Sequence, residues 1–267
     1  MIRDITLGQY FPGNTVIHRL DPRVKLTLTI VYITALFLAR GVAGYALMLC
    51  ILLACIFVSK IKLKTIFRSI RPIIIIIAFT AILNIFFTGG EPVIEFWRIT
   101  VTREGLIRAV QMVLRLVMLI TGSFLLTYTT SPIALTDGIE RMMNPLKKIK
   151  FPAHELAMMM SIALRFIPTL IEETWKIMSA QKARGANFET GGLIKRAKAI
   201  MPLIIPLFIS AFRRADELAT AMESRCYNGG EGRSRMKVLK MGTKDFLSFS
   251  YGAAVLAAVI VLGKFGL

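Results

Sequence analysis

The chain has 267 residues, 55% of them apolar and only 19% charged, yet 34 Lys and Arg face 16 Asp and Glu for a formal net charge of +18. A soluble domain is roughly 45–50% apolar and about 25% charged, nucleic-acid binders this basic are not usually so greasy, and three cysteines are too few for a disulfide scaffold. The apolar excess excludes disorder, which leaves a membrane protein whose cations are unevenly placed along the chain.

Residues 1–23 carry charges and turn formers (Pro12, Gly13, Asn14, Pro22) and no apolar core, so no cleavable signal is expected there. A transmembrane helix needs about 20 mostly apolar residues, and five stretches approach that. Leu26 to Ala39 is uncharged between Lys25 and Arg40, and leans on snorkelling flanks to span. Gly41 to Ser59 holds no charge, Pro72 to Gly90 contains the run Ile73 to Ile77, Leu106 to Thr130 is interrupted only by Arg108 and Arg115, and Phe246 to Gly263 is uncharged.

The loops set an orientation. Arg3, Arg19, Arg23 and Lys25 face Asp4 and Asp21 before the first span, and the first loop has only Arg40. The second loop has Lys60, Lys62, Lys64, Arg68 and Arg71 with no acid, and the third mixes Glu91, Glu95, Arg98, Arg103 and Glu104. Cations alternate rich and poor with each crossing, which puts the N-terminus and the second loop in the cytoplasm and the C-terminus, with Lys264 alone, outside. The basic second loop reads as a topology signal and a lipid-headgroup contact.

Residues 131–244 hold 19 Lys and Arg against 10 Asp and Glu and no convincing span. Pro132 to Met143 reads as a short helix stopped by Asn144-Pro145, followed by Lys147-Lys148-Ile149-Lys150. Ala153 to Ala183 reads as a long amphipathic helix, with Leu156, Met159, Met160, Ala163, Phe166, Ile167 and Leu170 at three- and four-residue steps. Pro168 is expected to kink it and Gly185 to stop it. After Gly191-Gly192, Leu193 to Ser224 reads as a second long helix, bent by Pro202 and Pro206, with Gly229-Gly230 beyond it. Both read as helices at the bilayer surface, their apolar faces against lipid or another membrane subunit, or against each other. The expected fold is an all-α integral membrane protein: residues 1–130 with four spans, a cytoplasmic region over 131–244 with two long kinked helices and a shorter one, and a fifth span over 245–267.

The sequence has no GxxxxGK[ST] phosphate loop and no GxGxxG, so ATP hydrolysis is not expected of this chain. Cys50, Cys55 and Cys226 lack zinc-ligand spacing, and His18 and His154 stand apart from any nucleophile–carboxylate set. Glu172-Glu173 and Asp216-Glu217 read as solvated helix faces.

Each long helix ends in a small–Arg–small triplet, Ala183-Arg184-Gly185 and Ser224-Arg225-Cys226. Together with His18-Arg19-Leu20-Asp21-Pro22-Arg23-Val24-Lys25, Pro145, and Ala163-Leu164-Arg165-Phe166-Ile167-Pro168 in that order, they make the whole chain resemble the T components (EcfT) of energy-coupling factor transporters. The resemblance implies a coupling subunit between two cytoplasmic ATPases (EcfA and EcfA′) and a separate S component that binds a vitamin or micronutrient. It implies that Arg184 and Arg225 dock into the two ATPases, one helix on each. ATP and Mg belong to those partners, and this chain carries no metal or cofactor and binds no nucleic acid. The family's second triplet usually ends in Gly. Cys226 would be strained if the helix turns to positive φ there.

Two further groups keep alternative readings. His18, Asp21, Pro22 and Arg23 serve either as a helix cap with a positive-inside anchor or as a partner contact. Arg115, about nine residues and so roughly 13 Å into the fourth span, is an intramembrane charge that pairs within the chain or meets the S component. The resemblance favours a shared T component serving interchangeable S components. A dedicated T component for cobalt, nickel or biotin uptake is the alternative, and a membrane-bound enzyme or a bare scaffold would leave the two triplets unexplained.

Overall fold

The structure is a computed structural model that describes residues 10–89, 92–96, 99–145, 151–186, 188, 192–229 and 241–264. Helices dominate: α1 (Val16–Arg19), α2 (Pro22–Leu38), α3 (Gly41–Ser59), α4 (Leu63–Ile70), α5 (Ile74–Phe87), α6 (Arg103–Thr129), α7 (Pro132–Met142), α8 (Ala153–Ala183), α9 (Leu193–Ser224) and α10 (Thr243–Lys264). A 3-10 turn at Arg71–Ile73 joins α4 to α5. The third loop, known from sequence only by its mixed charges, holds the antiparallel strands β1 (Pro92–Phe96) and β2 (Ile99–Thr102), with Glu95 opposite Thr100.

Among the described residues, five helices are long and apolar enough to cross a membrane: Gly41–Ser59, Leu63–Phe87, Arg103–Thr129, Ala153–Ala183 and Thr243–Lys264. The chain is an all-α membrane protein with this short hairpin added. Two differences from the sequence reading stand out. The first expected span forms α2, whose 17 residues cover only about 26 Å of roughly 30 Å of hydrocarbon. Conversely α8, read as a surface helix, is by length and composition also able to cross, because Arg165 is the only charge between Glu155 and Glu172.

The described residues divide into two compact units, the first within Gly8–Gly138 and Leu239–Leu267, the second within Ile139–Val238. In the first, the core gathers Leu36 and Ala39 of the α2 end, Tyr45, Met48, Leu52 and Ile56 of α3, Met118 of α6 and Val259 of α10. On α3 the buried positions follow three- and four-residue steps, while Val42 and Phe57 on its other faces are 82% and 72% exposed. A helix apolar on every face but buried on one is suited to lipid. Thr102 caps α6, accepting the Gly105 N–H at 3.1 Å and donating to the Thr88 carbonyl at 2.8 Å. That bond ties the hairpin to the end of α5.

In the second unit α8 and α9 pack side by side. With 31 and 32 residues each reaches about 47 Å. Both run on through their prolines, Pro168 in α8 and Pro202 and Pro206 in α9, each of which removes one donor from the helical ladder. Lys147, Lys148, Ile149, Lys150, Gly191 and Gly230, singled out in the sequence, lie outside the described residues.

Candidate functional site

The two long helices end in one and the same backbone motif. At the end of α8 the Gly185 N–H donates to the Lys182 carbonyl at 3.0 Å and the Ala186 N–H to the Gln181 carbonyl at 3.0 Å. At the end of α9 the Cys226 N–H donates to the Glu223 carbonyl at 2.8 Å and the Tyr227 N–H to the Met222 carbonyl at 3.0 Å. This pair of bonds, one five residues back and one three, is the Schellman stop, which needs a left-handed residue just past the cap. Gly185 supplies it at φ 89° and Cys226 at φ 55°. The expected turn therefore falls on Cys226 itself, and that residue carries the strain of a Cβ in the left-handed region.

The motif gives each triplet a structural reason. Ala183 and Ser224 close the helix, Arg184 and Arg225 are the caps, and Gly185 and Cys226 reverse the chain. Arg184, Gly185, Ser224, Arg225 and Cys226 are all exposed. Among the described residues neither guanidinium has a hydrogen-bond or ion-pair partner, so each projects five donors and a permanent charge from a helix tip.

Side-chain bonds hold the two helices in place. Arg214 Nη2 of α9 donates to Glu173 Oε2 of α8 at 2.8 Å. Glu173 is thus a clamp between helices and not a solvated face; Glu172, Asp216 and Glu217 are exposed. His154, at the start of α8, lies 3.0 Å from Glu140 of α7 through Nδ1 and 3.5 Å from the Tyr227 hydroxyl through Nε2. The histidine that stood alone in sequence therefore links the beginning of α8 to the residue after Cys226. Along α9, Met201, Ile204, Ile205, Phe208, Ile209 and Phe212 are 47–62% exposed at steps of about four residues. This apolar stripe is open to lipid or a partner.

The N-terminal motif forms a knot inside the first unit. Asp21 caps α2 by accepting the Arg23 N–H at 2.9 Å, Pro22 takes the first helical position, and Arg23 Nε pairs with Asp21 at 3.3 Å. Asp245 at the start of α10 accepts the Asp21 N–H at 2.8 Å and the Gly242 N–H at 2.8 Å. Lys25, 7% exposed, donates to the Thr129 carbonyl at 2.8 Å, the His18 carbonyl at 3.1 Å and Thr130 Oγ1 at 3.3 Å. His18 bonds Thr15 at 2.7 Å and the Phe11 carbonyl at 3.1 Å. Its imidazolium is disfavoured first by burial and then by the Lys25 cation, so its pKa lies below the usual 6.5. The polar groups of His18, Asp21, Arg23 and Lys25 are thus engaged within the chain, as a helix cap and anchor require, while Arg19 is exposed. Neither the bonding of Lys25 nor the role of Asp245 is legible in the sequence, because their partners lie 104 and 224 residues away.

Arg115 does not sit at mid-bundle. Its guanidinium carbon lies 5.9 Å from the Phe37 ring centroid and 5.6 Å from that of Tyr45, the residues that flank the turn from α2 to α3. At 27 residues, α6 is about 40 Å long and outlasts both neighbours, so a position deep in its own helix lies level with their ends. Among the described residues its buried Nε has no hydrogen-bond partner, and aromatic faces hold the cation instead. No three His, Cys, Asp or Glu side chains among the described residues gather as a metal site.

Comparison with known proteins adds a lineage. Residues 13–238 match the family CbiQ, described as cobalt transport protein. The chain is 55% identical over 266 residues to the energy-coupling factor transporter transmembrane protein EcfT of Clostridium kluyveri, covering 99% of this chain and 98% of that one. It is 53% identical to the EcfT of Thermosediminibacter oceani, covering 99% of each chain, and 52% identical to that of Acidaminococcus fermentans, covering 98% and 97%.

Proposed function

Because the chain belongs to the CbiQ cobalt transport protein family and, with its EcfT kin, is a T component of energy-coupling factor transporters, we propose that α8 and α9 couple two cytoplasmic ATPase subunits, EcfA and EcfA′, to a separate substrate-binding S component. The observation that carries the proposal is the twin helix stop, which presents Arg184 and Arg225 exposed at equivalent positions and, among the described residues, without a side-chain partner. A rigid helix of about 47 Å transmits a displacement from one end to the other. The apolar stripe of α9 is the surface through which that displacement reaches the membrane partner.

In this reading ATP and Mg bind the ATPases, and the vitamin or micronutrient binds the S component. The chain itself contributes no catalytic group. α2, α3, α5 with the 3-10 turn before it, α6 and α10 cross the bilayer, with the N-terminus and the basic Lys60–Arg71 segment, which includes α4, cytoplasmic and the C-terminus outside. We assign α8 to coupling and not to a crossing, since its C-terminal half carries Glu172, Glu173, Lys176 and Lys182 and Glu173 is bonded to α9.

Affinity purification from detergent-solubilised membranes tests the proposal. The expected result is recovery with two nucleotide-binding subunits and with several alternative S components. A single invariant S component would turn the reading to a dedicated transporter. Recovery as a stable, partner-free protein with an activity of its own would refute both.

A further inference from the structure

The first unit encloses a cavity of about 170 Å³ among α2, α3, α6 and α10. We propose that this cavity holds part of an acyl chain of a membrane lipid as a built-in part of the bundle. The argument rests on the multi-pass membrane character of the chain and not on its ATPase partners.

The lining decides the chemistry of the guest. Lys25, Thr29, Tyr32 and Thr129 face the cavity, but each is engaged elsewhere. Lys25 donates to two carbonyls and a hydroxyl, Thr29 to the Lys25 carbonyl at 2.8 Å, Tyr32 to the Met118 carbonyl at 3.2 Å and Thr129 to the Leu125 carbonyl at 2.8 Å. A trapped water needs two to four polar partners, and an apolar cavity of roughly 150 Å³ stays dry and takes hydrocarbon guests. A polar ligand that accepts hydrogen bonds would find the donors of all four side chains already spent. The remaining wall is aliphatic apart from the Cys55 thiol and Tyr251, and Tyr251 is 57% exposed, so the cavity reaches the surface of the bundle.

The helices do not collapse onto the space because they already touch beside it. A Cβ at Gly122 would sit 2.5 Å from Tyr32 Cε1, and one at Gly252 would sit 2.4 Å from Leu28 Cδ2. Glycine thus brings α6 and α10 to closest approach on α2, and the cavity persists between those contacts. The medium outside apolar membrane helices is lipid hydrocarbon, which supplies the guest at high local concentration.

Cys55 reports on occupancy. In a Cys50→Ser, Cys226→Ser background it is the only thiol of this chain, whose labelling is read on its own gel band, and the purified transporter complex is held in a steroid-based detergent whose rigid hydrophobe does not enter the cavity. Alkylation by an apolar maleimide is then timed with and without added phosphatidylglycerol. The lipid is expected to slow Cys55 modification at least tenfold. Val255→Phe, which fills the space, is expected to slow it equally without lipid, and Leu126→Phe replaces that variant if it does not fold. A Cys55 rate indifferent to phosphatidylglycerol in the unfilled protein overturns the proposal, as does rapid reaction with a charged, water-borne thiol reagent.

Discussion

Reversing both cap charges, Arg184→Glu with Arg225→Glu, separates a helix stop from a docking tip. If the arginines only complement the helix dipoles, each is worth about 0.3–1 kcal/mol, and reversal costs at most about twice that per helix. Both positions are exposed, where screening pulls the figure toward its lower end. The Schellman bonds are backbone bonds and survive the substitution, so folding and insertion are expected to persist. If each guanidinium is instead buried against an ATPase, loss of a bonded interfacial charge costs about 2–5 kcal/mol per site. Two sites then lose about 4–10 kcal/mol, and since 1.4 kcal/mol is tenfold, affinity falls by roughly three to seven orders of magnitude. The assay is pull-down by tagged ATPase subunits from membranes containing equal amounts of wild-type or variant chain, followed by substrate uptake into vesicles. Full retention of both ATPases and of uptake in the double variant would refute the docking role and leave the triplets as caps.

Three further outcomes follow from the geometry. Cys226→Gly relieves a Cβ at φ 55° and is expected to stabilise by about 1 kcal/mol, while Gly185→Ala at φ 89° is expected to destabilise by about as much; thermal unfolding of the solubilised protein should shift about 2–4 °C in opposite directions. Lys25→Met strands the Thr129 and His18 carbonyls and is expected to cost about 1–3 kcal/mol, read as a lower melting temperature, with no change if the knot is dispensable. His18 has a depressed folded pKa, so the unfolded segment binds the proton more readily. Its stabilising contribution is complete above pH 6.5 and is lost as pH falls through the folded value. Hydrogen exchange at residues 11–18, corrected for intrinsic rate, should rise on acidification from pH 7 to 5 in the wild type and stay flat in His18→Gln.

The sequence by itself determined whatever depends on neighbours along the chain. The periodicity of α8 with Gly185 beyond it, and for α9 the breaks at Gly191-Gly192 and Gly229-Gly230, located the helices at Ala153–Ala183 and Leu193–Ser224, because helix starts, stops and amphipathic faces are local properties. Asp21-Pro22 likewise marked the start of α2. Local periodicity could not rank α2 against α8 as a crossing, since the two differ by length and charge placement more than by pattern. Tertiary structure alone decided the pairings. Lys25 meets Thr129, Asp245 meets the Asp21 amide, Glu173 meets Arg214, and Arg115 lies between Phe37 and Tyr45. It also decided that the left-handed turn falls on Cys226 and that four apolar helices leave a cavity between their glycine contacts. The physical reason is common to all of these. A span is specified by about 20 consecutive residues meeting lipid, whereas a buried charge is satisfied only by whichever distant group packing brings within about 3 Å.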